Sequence, residues 1–254
     1  KPYLLKAGKA ATEYSFATLY MWSGIYHTDY RIISCCQDQL LLIRSRRKKE
    51  DPFHFLYPMS LNGLVPAKTA LKALSEVSGD VPFSVGALSA EEAGQLTAAS
   101  SVPVKMQSLR DSYDYVYKAS DLANLQGKKY QSKRNHLNAF FNAYPDYQVL
   151  HITREHIPAC LEMNQAWCQL MGCSQDIGLE QESCAVKRAF KGFEELGLEG
   201  LMLLIEGKII AYTLGELLTN NTWLVHVEKS FPQFRGAYQA INMLFVHYAM
   251  EKYP

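Results

Sequence analysis

The stretch LMLLIEGKIIAYTLGELLTNNTWLVHVEKSFPQFRGAYQAINMLFVHYAMEK (residues 201–252) decides how this chain reads. Leu201–Ile205 is a short apolar run, Glu206-Gly207-Lys208 a turn, Ile209–Leu218 a second run, Thr219 to Thr222 a second turn, and Trp223–Glu228 a third run. Apolar runs of strand length, punctuated by Gly and Asn, predict an antiparallel meander. After Phe231-Pro232-Gln233-Phe234-Arg235-Gly236 the period lengthens. Ala237, Ile241, Phe245 and Tyr248 recur three and four residues apart, which predicts an amphipathic helix.

Upstream, helices are predicted over Pro158–Met171 and Gly178–Leu196, the second carrying Val186, Phe190 and Phe193 on one side and stopped by Gly197. Tyr147–Ile152 reads as a strand, and Leu137, Phe140, Phe141 and Tyr144 mark a helix ending before Pro145. Asp114 to Tyr130 reads as a seam, with Tyr113, Tyr115 and Tyr117 alternating as on a strand. The N-terminal part begins with an aromatic helix over 13–26. A hairpin follows, Arg31–Ser34 and Gln39–Ile43 around Gln37-Asp38, then a strand over Phe53–Met59. A helix over Pro66–Val77 stops at Gly79, Val81–Leu88 is a strand, and Ser89 caps a helix with Glu91 and Glu92 in its first turn. Strands and helices mixed in this way predict an α+β protein with domains at 1–117 and 118–254.

Composition bounds the function. The chain has 254 residues, and at roughly 150 per domain that is about 1.7 domains. Hydrophobic residues make up 48% and charged ones 20%, which excludes disordered, collagen-like and coiled-coil chains. A net charge of +1 argues against a globally basic polyanion binder and leaves room only for local basic clusters. The most apolar window, Leu201–Leu218, is broken by Glu206, Lys208 and Glu216, so no transmembrane segment is predicted. The start, Lys-Pro-Tyr-Leu-Leu-Lys, is no signal peptide, and a first residue other than Met suggests a clipped N-terminus. The six cysteines form no C-x-x-C pair and read as reduced thiols of a cytoplasmic protein. His151, His156 and Cys160 match no strong zinc spacing, so no metal is expected. No G-x-S-x-G, P-loop or H-E-x-x-H motif occurs.

Two helices, a three-strand meander, a glycine-containing loop and an amphipathic helix resemble, in that order, the GNAT (N-acyltransferase) fold. In that family the loop reads Q/R-x-x-G-x-G/A and its amides hold a pyrophosphate. Unpaired N–H groups and the helix dipole favour an anion there on physical grounds too. Gln233 and Gly236 match the pattern; Tyr238 replaces its last small residue, which is a departure from coenzyme A binding. More specifically, DYVYKASDLANLQGKKYQSKRNHLNAF (114–140), VHVEKSFPQFRGAYQAIN (225–242) and EYSFATLYMW (13–22) resemble the bacterial family of the phosphatidylglycerol lysyltransferase C-terminal domain. The resemblance implies two tandem GNAT-like domains, mostly antiparallel sheets flanked by helices, related to the Fem peptidyltransferases. It implies transfer of an aminoacyl group from charged tRNA, or of an acyl group from a thioester, to an amine or hydroxyl. Family members continue past Lys252 into further strands, so the C-terminal strands are expected to be missing here.

Aminolysis needs a base for the attacking amine, and Glu228 is placed for it on the third meander strand. His226, two residues earlier, is read as sharing its face. The alternative for Glu228 is an ion pair with Lys229 or a surface cation. Gln233, Arg235, Gly236, Ala237 and Tyr238 form the candidate anion loop, with Asn242 one helical turn beyond; a plain tight turn at Gly236 is the competing reading. Lys128, Lys129, Lys133 and Arg134, interleaved with Tyr130, are candidates for phosphates of tRNA, coenzyme A or a lipid headgroup, against a solvated helix face. No tightly bound cofactor is expected; a coenzyme A thioester or aminoacyl-tRNA would be the donor substrate, and a lipid headgroup or small amine the acceptor. A coenzyme A dependent acetyltransferase and a non-catalytic anion- or tRNA-binding module are the alternatives. Oligomeric state is not readable.

Overall fold

A computed structural model describes residues 1–79 and 81–253. The chain divides into two compact units, Lys1–Asp114 and Tyr115–Pro254. Both are mixed α+β, with largely antiparallel sheets flanked by helices.

The first unit contains α1 (Pro2–Ala7), α2 (Phe16–Trp22), β1 (Asp29–Cys35), β2 (Asp38–Ser45), β3 (Phe53–Leu56), β4 (Met59–Ser60), α3 (Ala67–Ser78), β5 (Phe83–Gly86) and α4 (Ala90–Ala99). Its sheet runs β1-β2-β3-β5, with β4 also on β2; β3 and β5 are parallel, the other pairs antiparallel. The hairpin turns at Cys36 and Gln37, both with left-handed φ. Alternation along β2 splits the core. Leu40 and Leu42 pack with Phe55, Ala70, Leu74 and Leu96, while Leu41 and Ile43 pack with Leu4, Tyr14 and Met59. Ser89 caps α4 in a reciprocal box with Glu92. The predicted aromatic helix over 13–26 is shorter, since α2 starts only where Ser15 accepts the Thr18 amide.

The second unit contains α5 (Ala119–Asn124), α6 (Gln131–Ala143), β6 (Gln148–His151), α7 (Ile157–Met171), α8 (Ile177–Lys191), α9 (Phe193–Leu196), β7 (Glu199–Ile205), β8 (Lys208–Thr219), β9 (Thr222–Ser230) and α10 (Ala237–Lys252). The sheet order is β6-β7-β8-β9, all antiparallel. α6 and α10 cover one face, where Leu137, Phe140, Ile241 and Phe245 bury against Leu201, Leu203 and Ile210. On the opposite face Tyr212 donates to Asn164 Oδ1 of α7 at 2.9 Å and packs on Phe190 of α8.

Three further features depart from the sequence reading. Tyr113, Tyr115 and Tyr117 form no strand; they are exposed, and no strand pairs with them. The long helix expected over 178–196 breaks at Gly192 into α8 and α9. Cys168 and Cys173 are joined by a disulfide across the end of α7, so the cysteines are not all thiols. Among the described residues no helix is long and apolar enough to cross a membrane.

Candidate functional site

β9 carries the residue on which the site is built, and one irregularity sets its direction. Leu214 pairs with Val227, but Gly215 pairs with Val225, leaving His226 as the extra residue of a bulge. The bulge shifts the phase of the strand. Trp223 stacks edge-on against Phe245 of α10, and Glu228, five residues on, also meets α10. Strict alternation would send two residues at that spacing to opposite faces. His226 therefore does not share the face of Glu228, contrary to the sequence reading. Its Nε2 lies 3.1 Å from Glu216 Oε1, its side chain is 3% exposed, and it lines no part of the cavity described next.

Glu228 opens into a cavity of about 150 Å³ between β9, α5, α6 and α10. Leu122 and Leu125 form an apolar wall, Lys133 stands on the α6 side, and Tyr238, Gln239, Asn242 and Met243 come from successive turns of α10. The volume falls below the ~300–1,000 Å³ of an ordinary ligand pocket and leaves room for only a few heavy atoms beside Glu228.

The electrostatics are set by burial. Taking the Glu228 carboxylate out of water raises its pKa to about 7, although the Asn242 hydrogen bond and the Lys133 charge both pull it down. Asn242 Nδ2 donates to Glu228 Oε2 at 2.9 Å. Burial, then the nearby Glu228 and Glu182 carboxylates, push the Tyr238 phenol up to about 12. With its pKa raised to about 7, Glu228 can take up a proton near neutrality, while the Tyr238 phenol, raised to about 12, keeps its own, a pair able to accept one proton and donate another.

The candidate loop divides. Gly236 has φ of +86°, and a Cβ there would lie 2.1 Å from the backbone oxygen of His136. Glycine is required because the start of α10 lies directly against α6. Ala237 is fully buried by the same approach. No side chain caps α10. Gln233 and Arg235 are exposed and stand away from the cavity, while Tyr238 lines it without filling it.

The basic cluster divides as well. Arg134 turns inward: its Nη1 donates to the carbonyls of Leu125 and of Gly127, the latter at 2.9 Å, and Nη2 donates to Gln131 Oε1 at 3.0 Å. Lys129 pairs with Asp121 at 3.4 Å, and Lys128 is exposed on the short turn before α6. Only Lys133 reaches the cavity. Of the residues singled out from sequence, the structure brings together Glu228, Lys133, Tyr238 and Asn242. Leu122, Leu125, Gln239 and Met243 were missed; the helical spacing of 239 and 243 around Asn242 was the available clue. Among the described residues no group of three or more metal-ligating side chains assembles.

The family model described as phosphatidylglycerol lysyltransferase, C-terminal, matches residues 6–254. The crystal structure of a conserved protein of unknown function from Bacteroides thetaiotaomicron shares 33% identity and a TM-score of 0.87, over 99% of this chain and 82% of that one. The C-terminal domain of a candidate lysylphosphatidylglycerol synthetase from Agrobacterium fabrum has a TM-score of 0.54 at 10% identity, over 98% of this chain and 73% of that one, a likeness of fold alone. An uncharacterized protein of Mycoplasmoides gallisepticum is 28% identical over 148 residues, 54% of this chain and 45% of that protein, so the chain spans less than half of that relative's length. With the model matching nearly every residue, this chain belongs to the phosphatidylglycerol lysyltransferase C-terminal family.

Proposed function

We propose that this protein transfers an aminoacyl group from charged tRNA, or an acyl group from a thioester, to an amine or hydroxyl acceptor. In this reading both units are GNAT-like and the second holds the reacting centre. The observation that carries it is Glu228: a carboxylate raised to about 7 in a small cavity beside the start of α10. A base acts best when its pKa lies near the working pH, and such a group contributes about 10²–10⁴-fold. Glu228 takes the acceptor's proton as the acceptor attacks the donor carbonyl. Lys133 offers positive charge to the oxygen that becomes negative. No cysteine lies in the cavity, so direct attack in a ternary complex is the simplest course. The reaction belongs in the cytoplasm, where charged tRNA is made.

The test is a transfer assay with lysyl- and alanyl-tRNA, phosphatidylglycerol vesicles and small amines, run beside acetyl-CoA. Glu228→Gln is expected to lower turnover by about 100-fold or more; unchanged turnover removes the base assignment. A second reading, a non-catalytic anion- or tRNA-binding module, is favoured by Gly236, whose packing on His136 explains the glycine without a phosphate. It predicts tRNA retention that weakens steeply with salt and no transfer from any donor.

A further inference from the structure

We propose that Asn242 is a positioning residue for the Glu228 carboxylate, seconded by Lys133: the amide fixes the rotation of the carboxylate, and the ammonium group supplies its counter-charge across the cavity. This role deepens the acyl-transfer reading and rests on it.

Asn242 lies in the middle of α10, where asparagine forms helix less well than alanine, leucine or glutamine. Its position is half-buried, and its side chain is spent on one contact, the 2.9 Å hydrogen bond to Oε2 of Glu228. An amide nitrogen donates and cannot accept, so this bond favours the ionised carboxylate over the protonated one. With Oε2 committed to the amide, Oε1 is the oxygen left for a substrate proton. Tyr238, one turn earlier, lines the same cavity from the same helix.

The charged and titratable surroundings of Glu228 are few. α6 presents Lys133 and α10 presents Tyr238. α8 contributes Glu182, whose charge acts on Tyr238. α5 lines the cavity with Leu122 and, just past its end, Leu125, while its Asp121 is paired with Lys129; β8 pairs Thr213 with Glu228. Lys229, next on β9, is turned to the other face and held by Glu182. The ionised state of Glu228 thus leans on two groups, one donating a hydrogen bond and one supplying charge, from separate helices.

The experiment is a titration of Glu228 by carboxyl-carbon NMR in protein labelled on glutamate, with the resonance identified by its loss in Glu228→Gln. The pH profile of kcat/KM for transfer is measured in parallel. In Asn242→Leu and in Lys133→Met the midpoint is expected to rise by about one pH unit, roughly tenfold in proton affinity, and the acid limb of the profile to move up with it. Asn242→Gln, which can still donate, is expected to return both toward the unsubstituted protein. Lys133 stands at the rim, so its variant reads out even where Asn242→Leu folds poorly. A midpoint that stays put in both variants overturns the proposal. A midpoint that rises while no donor supports transfer upholds the positioning role and sinks the acyl-transfer reading instead.

Discussion

Glu228 and Lys229 follow one another on β9, and each has an opposite charge within easy reach in the sequence, yet they do not pair. Glu228 faces α10 and a cavity, with one amide donor and a distant ammonium. Lys229 faces α7 and α8, where its Nζ donates to Glu182 Oε2 at 2.7 Å and lies 3.6 Å from the centre of the Trp167 ring. Trp167 is itself anchored, its Nε1 donating to the Ser230 carbonyl at 3.0 Å. One face of the strand holds a satisfied, sealed charge and serves stability. The other holds a charge kept short of partners and suits proton transfer.

The largest effect is expected on the sealed face. Lys229→Ala removes the cation from Glu182 and the stem from Trp167, and breaking one side of a buried pair costs about 3–4 kcal/mol, read by denaturant unfolding. Glu182 is 34% exposed and can turn partly to water, which keeps the loss at the lower end.

The open face should answer in the other direction. A carboxylate whose folded pKa is raised from 4.5 to about 7 stabilises the fold only while protonated. Its contribution is full below about pH 4.5 and is lost as pH rises through about 7, because the folded state holds the proton longer than the unfolded chain. Glu228→Gln should therefore gain up to about 3 kcal/mol over the unsubstituted protein at pH 8 and nothing at pH 4. Equal gains at both pH values would show that the burial of Glu228 carries no cost.

The disulfide lies on the Lys229 side. Cys168→Ser opens a loop closed across five positions and should cost about 2 kcal/mol. The Glu228 midpoint should stay where it was, since α7 does not line the cavity. Lys129→Ala should be smallest: its pair with Asp121 is exposed, so neither melting temperature nor the Glu228 titration should change. A shift of that titration would mean that any nearby cation suffices and that Lys133 is not special.

Much of the fold was legible because its signals are local. Gly and Asn turns marked the meander, Pro66 and Gly79 bracketed α3, and Ser89 with Glu92 announced α4. The tyrosine alternation at 113–117 misled because alternation specifies a strand only where a partner strand exists. The site was half legible. Glu228 and Asn242, singled out from strand and helix position, do lie in contact, but the bulge that turns His226 away depends on the pairing of two strands. The inward turn of Arg134 depends on carbonyls seven and nine residues away. The ion pair between Glu228 and Lys229, the alternative read from sequence, does not form: neighbours on a strand point to opposite faces, and Lys229 pairs with Glu182 instead.

Arg134 has one more consequence. By clasping the carbonyls of Leu125 and Gly127 it bolts the apolar wall of the cavity to the helix that carries Lys133. Shelter from solvent and electrostatic relief for Glu228 are thereby hinged together. One guanidinium thus joins the segment that screens Glu228 from solvent to the helix that brings a cation toward it.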